Sequence, residues 1–251
     1  MTTPAGRWLP VALIALAAIP IVAGALRLVE VFGGPHSLPT NPRISDSPVP
    51  VVVHIVSASL YALLGALQFS TGLGRRHPRW HRRNGRLVVP LGLGVALSAL
   101  WMTAFYTGPQ NTSALLPIRF AFGLGLAACI TLGLVAIRKG DVRRHQAWMT
   151  RGYAIALGAG TQVFTLGFGK PLFGSGQLAL ALLLIAAWCI NLPIAEYAIR
   201  RPRRTARRPR AMAVQPAGAP GTCPQLSSHP HPTIGDVMPH SQDRHPHQVN
   251  S

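Results

Sequence analysis

Charged residues are scarce in this sequence, and acidic residues are scarcest of all. Only 12% of its 251 residues are charged, whereas soluble globular proteins have about 25%. Much of the chain therefore lacks the charged side chains that cover a water-facing surface, which excludes an ordinary soluble domain. The formal net charge of +18 comes from arginines set between long apolar runs. This distribution argues against a nucleic-acid-binding face.

Cysteines and embedded carboxylates are also lacking. The three cysteines, Cys129, Cys189 and Cys223, are scattered, and an odd, unevenly spaced set predicts neither a disulfide framework nor a CxxC metal pair. No Asp or Glu lies in the middle of an apolar run. That absence argues against a proton relay or a cation-coupled transport mechanism built on carboxylates.

The sequence does contain six long apolar runs. A helix needs about 20 apolar residues to cross about 30 Å of hydrocarbon, and lipid offers no partners for backbone polar groups in any open structure. The first run is longer than a signal-peptide core and lacks a cleavage site, which favours a retained helix. Residues 1–199 are therefore predicted to form an all-α membrane protein, a bundle of six transmembrane helices. The predicted spans are 8–31, 51–69, 87–106, 114–137, 148–168 and 178–199.

Arginine placement predicts the orientation of this bundle. Residues 72–86 contain six arginines and no acid, residues 138–151 contain five basic residues, and residues 200–210 contain seven arginines. The alternate connections are nearly free of positive charge. The positive-inside rule then places both termini in the cytoplasm, in a protein of the cell membrane. The same arginines predict contacts with anionic lipid headgroups.

Residues 200–251 have a different composition from the bundle. Pro, Arg, Ser and His dominate, five of the ten histidines lie there, and no apolar period appears. Such a segment buries too little apolar surface to offset the entropy of ordering it. It is predicted to be a disordered cytoplasmic tail.

Polar side chains inside the predicted spans are the first candidates for a ligand site. In the second span, five residues fall within about 80° of one another at 100° per residue, and they form a polar, small-residue stripe. Helix packing explains such a stripe as well as ligand binding does. The stripe consists of His54, Ser57, Tyr61, Gly65 and Gln68.

Two further spans carry polar groups at a similar depth. Arg119 lies about two turns into the fourth span, and Gln162 lies toward the same end of the fifth. Arg119 either extends to the lipid headgroups or lines a polar cavity. With His54, Tyr61 and Gln68, these residues are the predicted ligand-binding set. One alternative function is a transporter of a small solute with its site in this outer half.

Two histidines share a different setting at the opposite, arginine-rich end. His81 lies in WHRRNGR, residues 80–86, and His145 begins HQAWMTRGYA, residues 145–154. Tryptophan and arginine beside them are typical of the membrane interface. The two imidazoles predict either interfacial hydrogen bonds, a quinone-like or lipid-like ligand, or a b-type haem, since neutral imidazole ligates iron. The haem alternative describes a redox protein with one inner haem at His81 and His145.

These two motifs, with YALLGALQFS at residues 61–70, resemble a bacterial membrane family known as domain of unknown function 2306. The resemblance covers about residues 50 to 170. One departure is Gln146, where the family pattern has arginine after the histidine. The resemblance implies a multi-pass helical topology and supplies no reaction. The sequence thus predicts a bundle that interacts with lipid or a small ligand without fixing a catalytic residue or a metal.

Overall fold

The structure, a computed structural model, describes residues 5–35, 47–70, 76–106 and 115–201. The predicted disordered tail falls almost wholly outside the described residues. Within the described residues the chain is entirely helical outside short turns. The helices are α1 (Ala5–Val31), α2 (Pro48–Gln68), α3 (Pro78–Phe105), α4 (Leu115–Arg138), α5 (Val142–Ala156), α6 (Gly158–Phe173) and α7 (Gln177–Arg200).

Five of these helices are long and apolar enough to cross a membrane, namely α1, α2, α3, α4 and α7. They coincide with five of the six predicted spans. The remaining predicted span, residues 148–168, is divided at Leu157 between α5 and α6, which have 15 and 16 residues. The two glycines that begin α6, Gly158 and Gly160, weaken helix propensity by about 1 kcal/mol each relative to alanine. Hydropathy does not register such a break, because residues 153–160 on both sides of Leu157 are apolar or glycine, apart from the hydroxyl of Tyr153.

Side chains of α7 satisfy the backbone at this break. Across it, the described backbone hydrogen bonds run from Gly160 and Thr161 to the carbonyl of Leu157, and none runs from Gly158 or Ala159 to the turn before. The carbonyl of Ala154 accepts from Asn191 Nδ2 at 3.2 Å, and that of Ile155 accepts from Trp188 Nε1 at 3.1 Å. Interrupted helices persist at membrane depth only where such partners exist.

The helices pack as a closed ring. Going around it, α1 contacts α2, α2 contacts α3, α3 contacts α4, α4 contacts α5, α5 contacts α7, α7 contacts α6, and α6 returns to α1. The helix α2 also touches α5 across the ring. The buried core lies where α2, α3, α4 and α5 meet, around Tyr61, Ala66, Ala96, Ile130 and Tyr153.

The α1–α6 contact closes the ring and depends on one glycine. Pro20 in α1 has no N–H, so the carbonyl of Leu16 one turn earlier lacks its helical donor. Gly160 lies against this carbonyl, and a methyl group in its place would be 2.5 Å from the Leu16 oxygen. Backbone atoms of a packed helix cannot move aside as a flexible side chain does. Only glycine fits at this crossing.

We expect Gly160→Ala to destabilise the bundle by about 1–3 kcal/mol, the usual cost of overpacking. The matched control is Gly167→Ala in the same helix, where nothing lies within 4 Å of the added methyl group. That control should be neutral or stabilising by up to ~1 kcal/mol, because alanine is the better helix former. Thermal unfolding in detergent compares the two. Equal melting temperatures would contradict the close α1–α6 contact.

Candidate functional site

A cavity of about 440 Å³ lies inside the ring of helices, and all seven helices line it. The lining residues belong to the half of the bundle opposite the arginine-rich connections. Most of the wall is alanine, valine, leucine and isoleucine. The polar and aromatic contributions come from His54, Ser59, Tyr61, Thr103, Arg119, Phe122, Tyr153, Gln162 and Trp188.

Four of the five predicted ligand-binding residues line this cavity. His54 and Tyr61 reach it from α2, Arg119 from α4 and Gln162 from α6. The polar stripe on α2 faces inward as its periodicity predicts, since Ser57, Tyr61 and Gly65 are buried. Sequence reasoning therefore found residues that the fold brings together from three helices.

His54 is oriented by Ser98 of α3. Its Nδ1 lies 3.0 Å from the Ser98 hydroxyl. That hydroxyl has one proton, which it donates to the carbonyls of Gly94 and Val95 in its own helix. With the hydroxyl proton directed at these carbonyls, the arrangement favours Nδ1 as the donor to Ser98, which leaves Nε2 as the acceptor of a neutral ring.

Tyr61 and Tyr153 form the floor of the cavity. Their ring centroids are 5.8 Å apart, and the Tyr153 hydroxyl donates to the Ala62 carbonyl at 2.7 Å. Tyr61 is 1% exposed, and its hydroxyl has no hydrogen-bond partner among the described residues. Its ring is admitted by Gly92, where a methyl group would lie 2.6 Å from the ring carbons.

Gln162 and Arg119 contribute the remaining predicted polar groups. Gln162 donates weakly to the Leu184 carbonyl of α7, at 3.4 Å. Arg119 is half-buried on α4, one turn before Phe122. It is the one formally charged side chain among the described residues that line the cavity.

The fifth predicted ligand residue, Gln68, does not line this cavity. It lies at the end of α2 and its Nε2 donates to the carbonyl of His81 at 3.2 Å. Nearby, Asn84 donates to the Leu64 carbonyl at 2.9 Å. These bonds hold the arginine-rich ends of α2 and α3 together. The hydrogen bond of Gln68 thus joins two helices at a place outside the cavity.

The second predicted pair, His81 and His145, lies at this arginine-rich end, near the starts of α3 and α5. The two imidazoles are near enough for a charge on one to affect the other. The Nδ1 of His145 lies 2.8 Å from the Gly133 carbonyl, which fixes the ring and makes Nε2 the free nitrogen for another contact. Among the described residues, no three His, Cys, Asp or Glu side chains cluster in a way that would hold a metal ion.

Arg151 has a partner that the sequence did not suggest. The sequence favoured contact with lipid phosphate, but the guanidinium forms a two-pronged ion pair with Glu196 of α7. It also stacks over the Trp148 ring, 4.9 Å from the centroid. Glu196 is bound as well by Arg200 at 3.4 Å. The pair fastens α5 to α7 at the arginine-rich end.

Sequence reasoning also missed the aromatic wall formed by Phe122 and Trp188. These rings stack with centroids 3.9 Å apart and an interplanar angle of 17°. One available signal was the position of Trp188 in the middle of α7, because membrane tryptophans favour the interfaces. Another signal was Asn191, a polar residue three positions later on the same face of α7, which indicates that this face points into the bundle. In the structure Asn191 accepts a hydrogen bond from Thr161 at 2.9 Å.

A family model matches residues 51–199, from α2 through α7, and describes a predicted membrane protein with the domain of unknown function 2306. No curated protein and no solved structure matches the chain. The resemblance inferred from the three sequence motifs is confirmed. This protein, a membrane protein with several apolar helices, therefore belongs to the DUF2306 family.

Proposed function

We propose that this protein binds a small, mainly apolar molecule with one anionic or hydrogen-bond-accepting group in the cavity at the centre of the bundle. The observation that carries the proposal is the composition of the wall. It is apolar apart from a few donors, and Arg119 supplies its one formal charge among the described residues. The volume of about 440 Å³ lies within the usual range for ligand pockets, about 300–1,000 Å³.

Charge complementarity favours an acidic or acceptor headgroup. A guanidinium exerts a strong field in surroundings of low dielectric constant, and the described lining has no carboxylate to attract a cation. Gln162 and His54 add polar groups that orient a bound headgroup. The alanines and the aliphatic residues of α1, α2 and α3 accommodate the apolar body.

Tyr61 adds a second reason to expect an occupant. A buried hydroxyl without a partner costs about 1–3 kcal/mol, and the Tyr61 hydroxyl is in this position. A polar atom of a bound molecule at the cavity floor would recover that cost. The same cavity lies where a solute-transport site was expected from the sequence, and binding is the step that both functions share.

A second candidate function is a b-type haem protein in which His81 and His145 would hold the iron. The favouring observation is that both imidazoles lie at the same end of the bundle, near the starts of α3 and α5. The bond of His145 to the Gly133 carbonyl is the second contact that metal-ligating histidines usually make. The bound haem would supply one-electron chemistry.

We also propose six membrane crossings, with α5 and α6 together forming the fifth, and with both termini in the cytoplasm of the cell. The exposed arginines at the ends of α3, α5 and α7 support this orientation. Side chains such as Arg83, Arg144 and Arg200 are exposed, and at that depth they would contact anionic lipid headgroups.

The ligand proposal predicts that decanoate stabilises the protein in lipid nanodiscs, while decyltrimethylammonium, with the same chain and opposite charge, does not. Arg119→Gln should weaken decanoate binding about tenfold or more, since hydrogen bonds to charged groups contribute about 1.5–3 kcal/mol. Arg83→Gln, the same change at an exposed position outside the cavity, should leave the affinity unchanged. The shift in melting temperature, measured against ligand concentration, gives the stabilisation by each amphiphile and the affinity of each variant. Equal stabilisation by the two amphiphiles would contradict the proposal.

The haem proposal predicts a Soret band in protein purified from cells supplied with haem. Alanine at His81 or at His145 should abolish the band, because each imidazole is an axial ligand. His77→Ala, at an exposed position on the same end, and His54→Ala should retain it. Colourless wild-type protein that takes up no added haem would eliminate this candidate.

The orientation is tested with single cysteines in a chain whose native cysteines are replaced. Ser175 and Lys139 are both exposed, in the turns after α6 and α4. In intact cells, Ser175→Cys should react with a membrane-impermeant maleimide, whereas Lys139→Cys should react only after permeabilisation. The opposite labelling pattern would show that the bundle has the reverse orientation in the membrane.

A further inference from the structure

The ring of helices around the cavity is closed in two different ways. Most neighbouring helices in this half approach closely through a glycine, at which a methyl group would meet the next helix at 2.8 Å or less. These contacts are Gly24 with Ile55, Gly92 with Tyr61, Gly94 with Ser57, Gly123 with Leu100, Gly160 with Leu16, and Gly169 with Leu183. They join α1 to α2, α2 to α3, α3 to α4, α1 to α6 and α6 to α7.

The α4–α7 seam is the exception within the described chain. In the ring of helix contacts α5 stands between α4 and α7, and no glycine of the described α4 or α7 lies against the other helix. What joins the two helices directly is the stack of Phe122 on Trp188. Both rings line the cavity, and both are only half-buried. Two flat rings therefore separate the cavity from the outside of the bundle.

The outer faces of α4 and α7 are apolar. Leu124 on α4 and Leu182 on α7 are each 57% exposed, and Ile190 on α7 is also exposed. In a membrane protein such a surface faces lipid tails and not water. The seam thus connects an apolar cavity with the hydrocarbon of the bilayer.

We infer that the ligand is a membrane-dissolved amphiphile, such as a free fatty acid, and that it reaches the cavity from the bilayer between α4 and α7, through the seam closed by Phe122 and Trp188. The inference rests on the ligand binding proposed above and adds the source of the ligand and its path. Arg119 lies one turn from Phe122 on the same helix, so a headgroup that passes the stack meets the cavity's cation first.

The mobile half of the closure is Phe122. The indole of Trp188 is held by its bond to the Ile155 carbonyl, and Gly158 packs against it so closely that a methyl group there would lie 2.3 Å from Nε1. A phenyl ring has no polar anchor and turns about its side-chain bonds on the nanosecond scale when partly exposed. Opening therefore requires the loss of one stacking contact and no hydrogen bond.

The test measures exchange of radiolabelled decanoate from the protein in lipid nanodiscs after a chase with unlabelled decanoate. An aromatic pair contributes about 0.5–1.5 kcal/mol, so Phe122→Ala should accelerate both binding and release up to about tenfold. Because Phe122 also lines the cavity, its loss should weaken the affinity through faster release. The rate at which empty protein takes up radiolabelled decanoate is therefore measured too, since a removed closure accelerates uptake and a lost wall contact alone does not. Phe122→Leu keeps an apolar side chain but loses the stack, so its exchange rate should lie between those of the wild type and Phe122→Ala.

Phe120→Ala is the matched control, since Phe120 is on α4 but does not line the cavity. Its exchange rate should equal that of the wild type, and thermal unfolding checks that each variant is folded. Unchanged exchange in both Phe122 variants, with intact binding, would overturn the lateral path and leave the binding site standing. Absence of decanoate binding by the wild-type protein would instead refute the proposed function.

Discussion

The need to satisfy every backbone polar group without water controls this fold more than any other constraint. A helix meets that need within itself except opposite a proline, and five of the described helices are long and apolar enough to cross a membrane. The segment from α5 to α6 does not meet that need, because its helical ladder is interrupted at Leu157. Trp188 and Asn191 of α7 complete the bonds that the interruption leaves open, so the position of α7 is fixed by the break that it supports.

The cavity follows from this arrangement. The break turns Ile155, Leu157 and Gly160 toward the centre of the ring, while glycine contacts around the perimeter set the spacing between helices. At the other end, the Arg151–Glu196 pair holds α5 against α7. The second half of α5 is bonded to α7 at Arg151, Ala154 and Ile155, and α6 packs against α1, so these helices hold the walls apart. The space at the centre therefore persists.

Hydropathy and periodicity were sufficient for the coarse architecture. They located the apolar runs, the inward stripe on α2, and the three separate side chains His54, Arg119 and Gln162 that share one cavity. They could not reveal the break at Leu157, because an apolar helix and two apolar half-helices have the same hydropathy. They also missed the Arg151–Glu196 pair, since its partners are 45 residues apart and the lipid interface explains an arginine equally well.

The two roles of Trp188 explain why an indole suits this position better than a phenyl ring. Its face stacks on Phe122 and its Nε1 satisfies the Ile155 carbonyl, whereas phenylalanine would do only the first. Displacing Trp188 would leave a carbonyl unpaired inside the bundle, at a cost of about 1–3 kcal/mol. Displacing Phe122 breaks no hydrogen bond. The break in the fifth span thus holds Trp188, on the α7 side of the seam, in place and leaves movement to Phe122 on the α4 side.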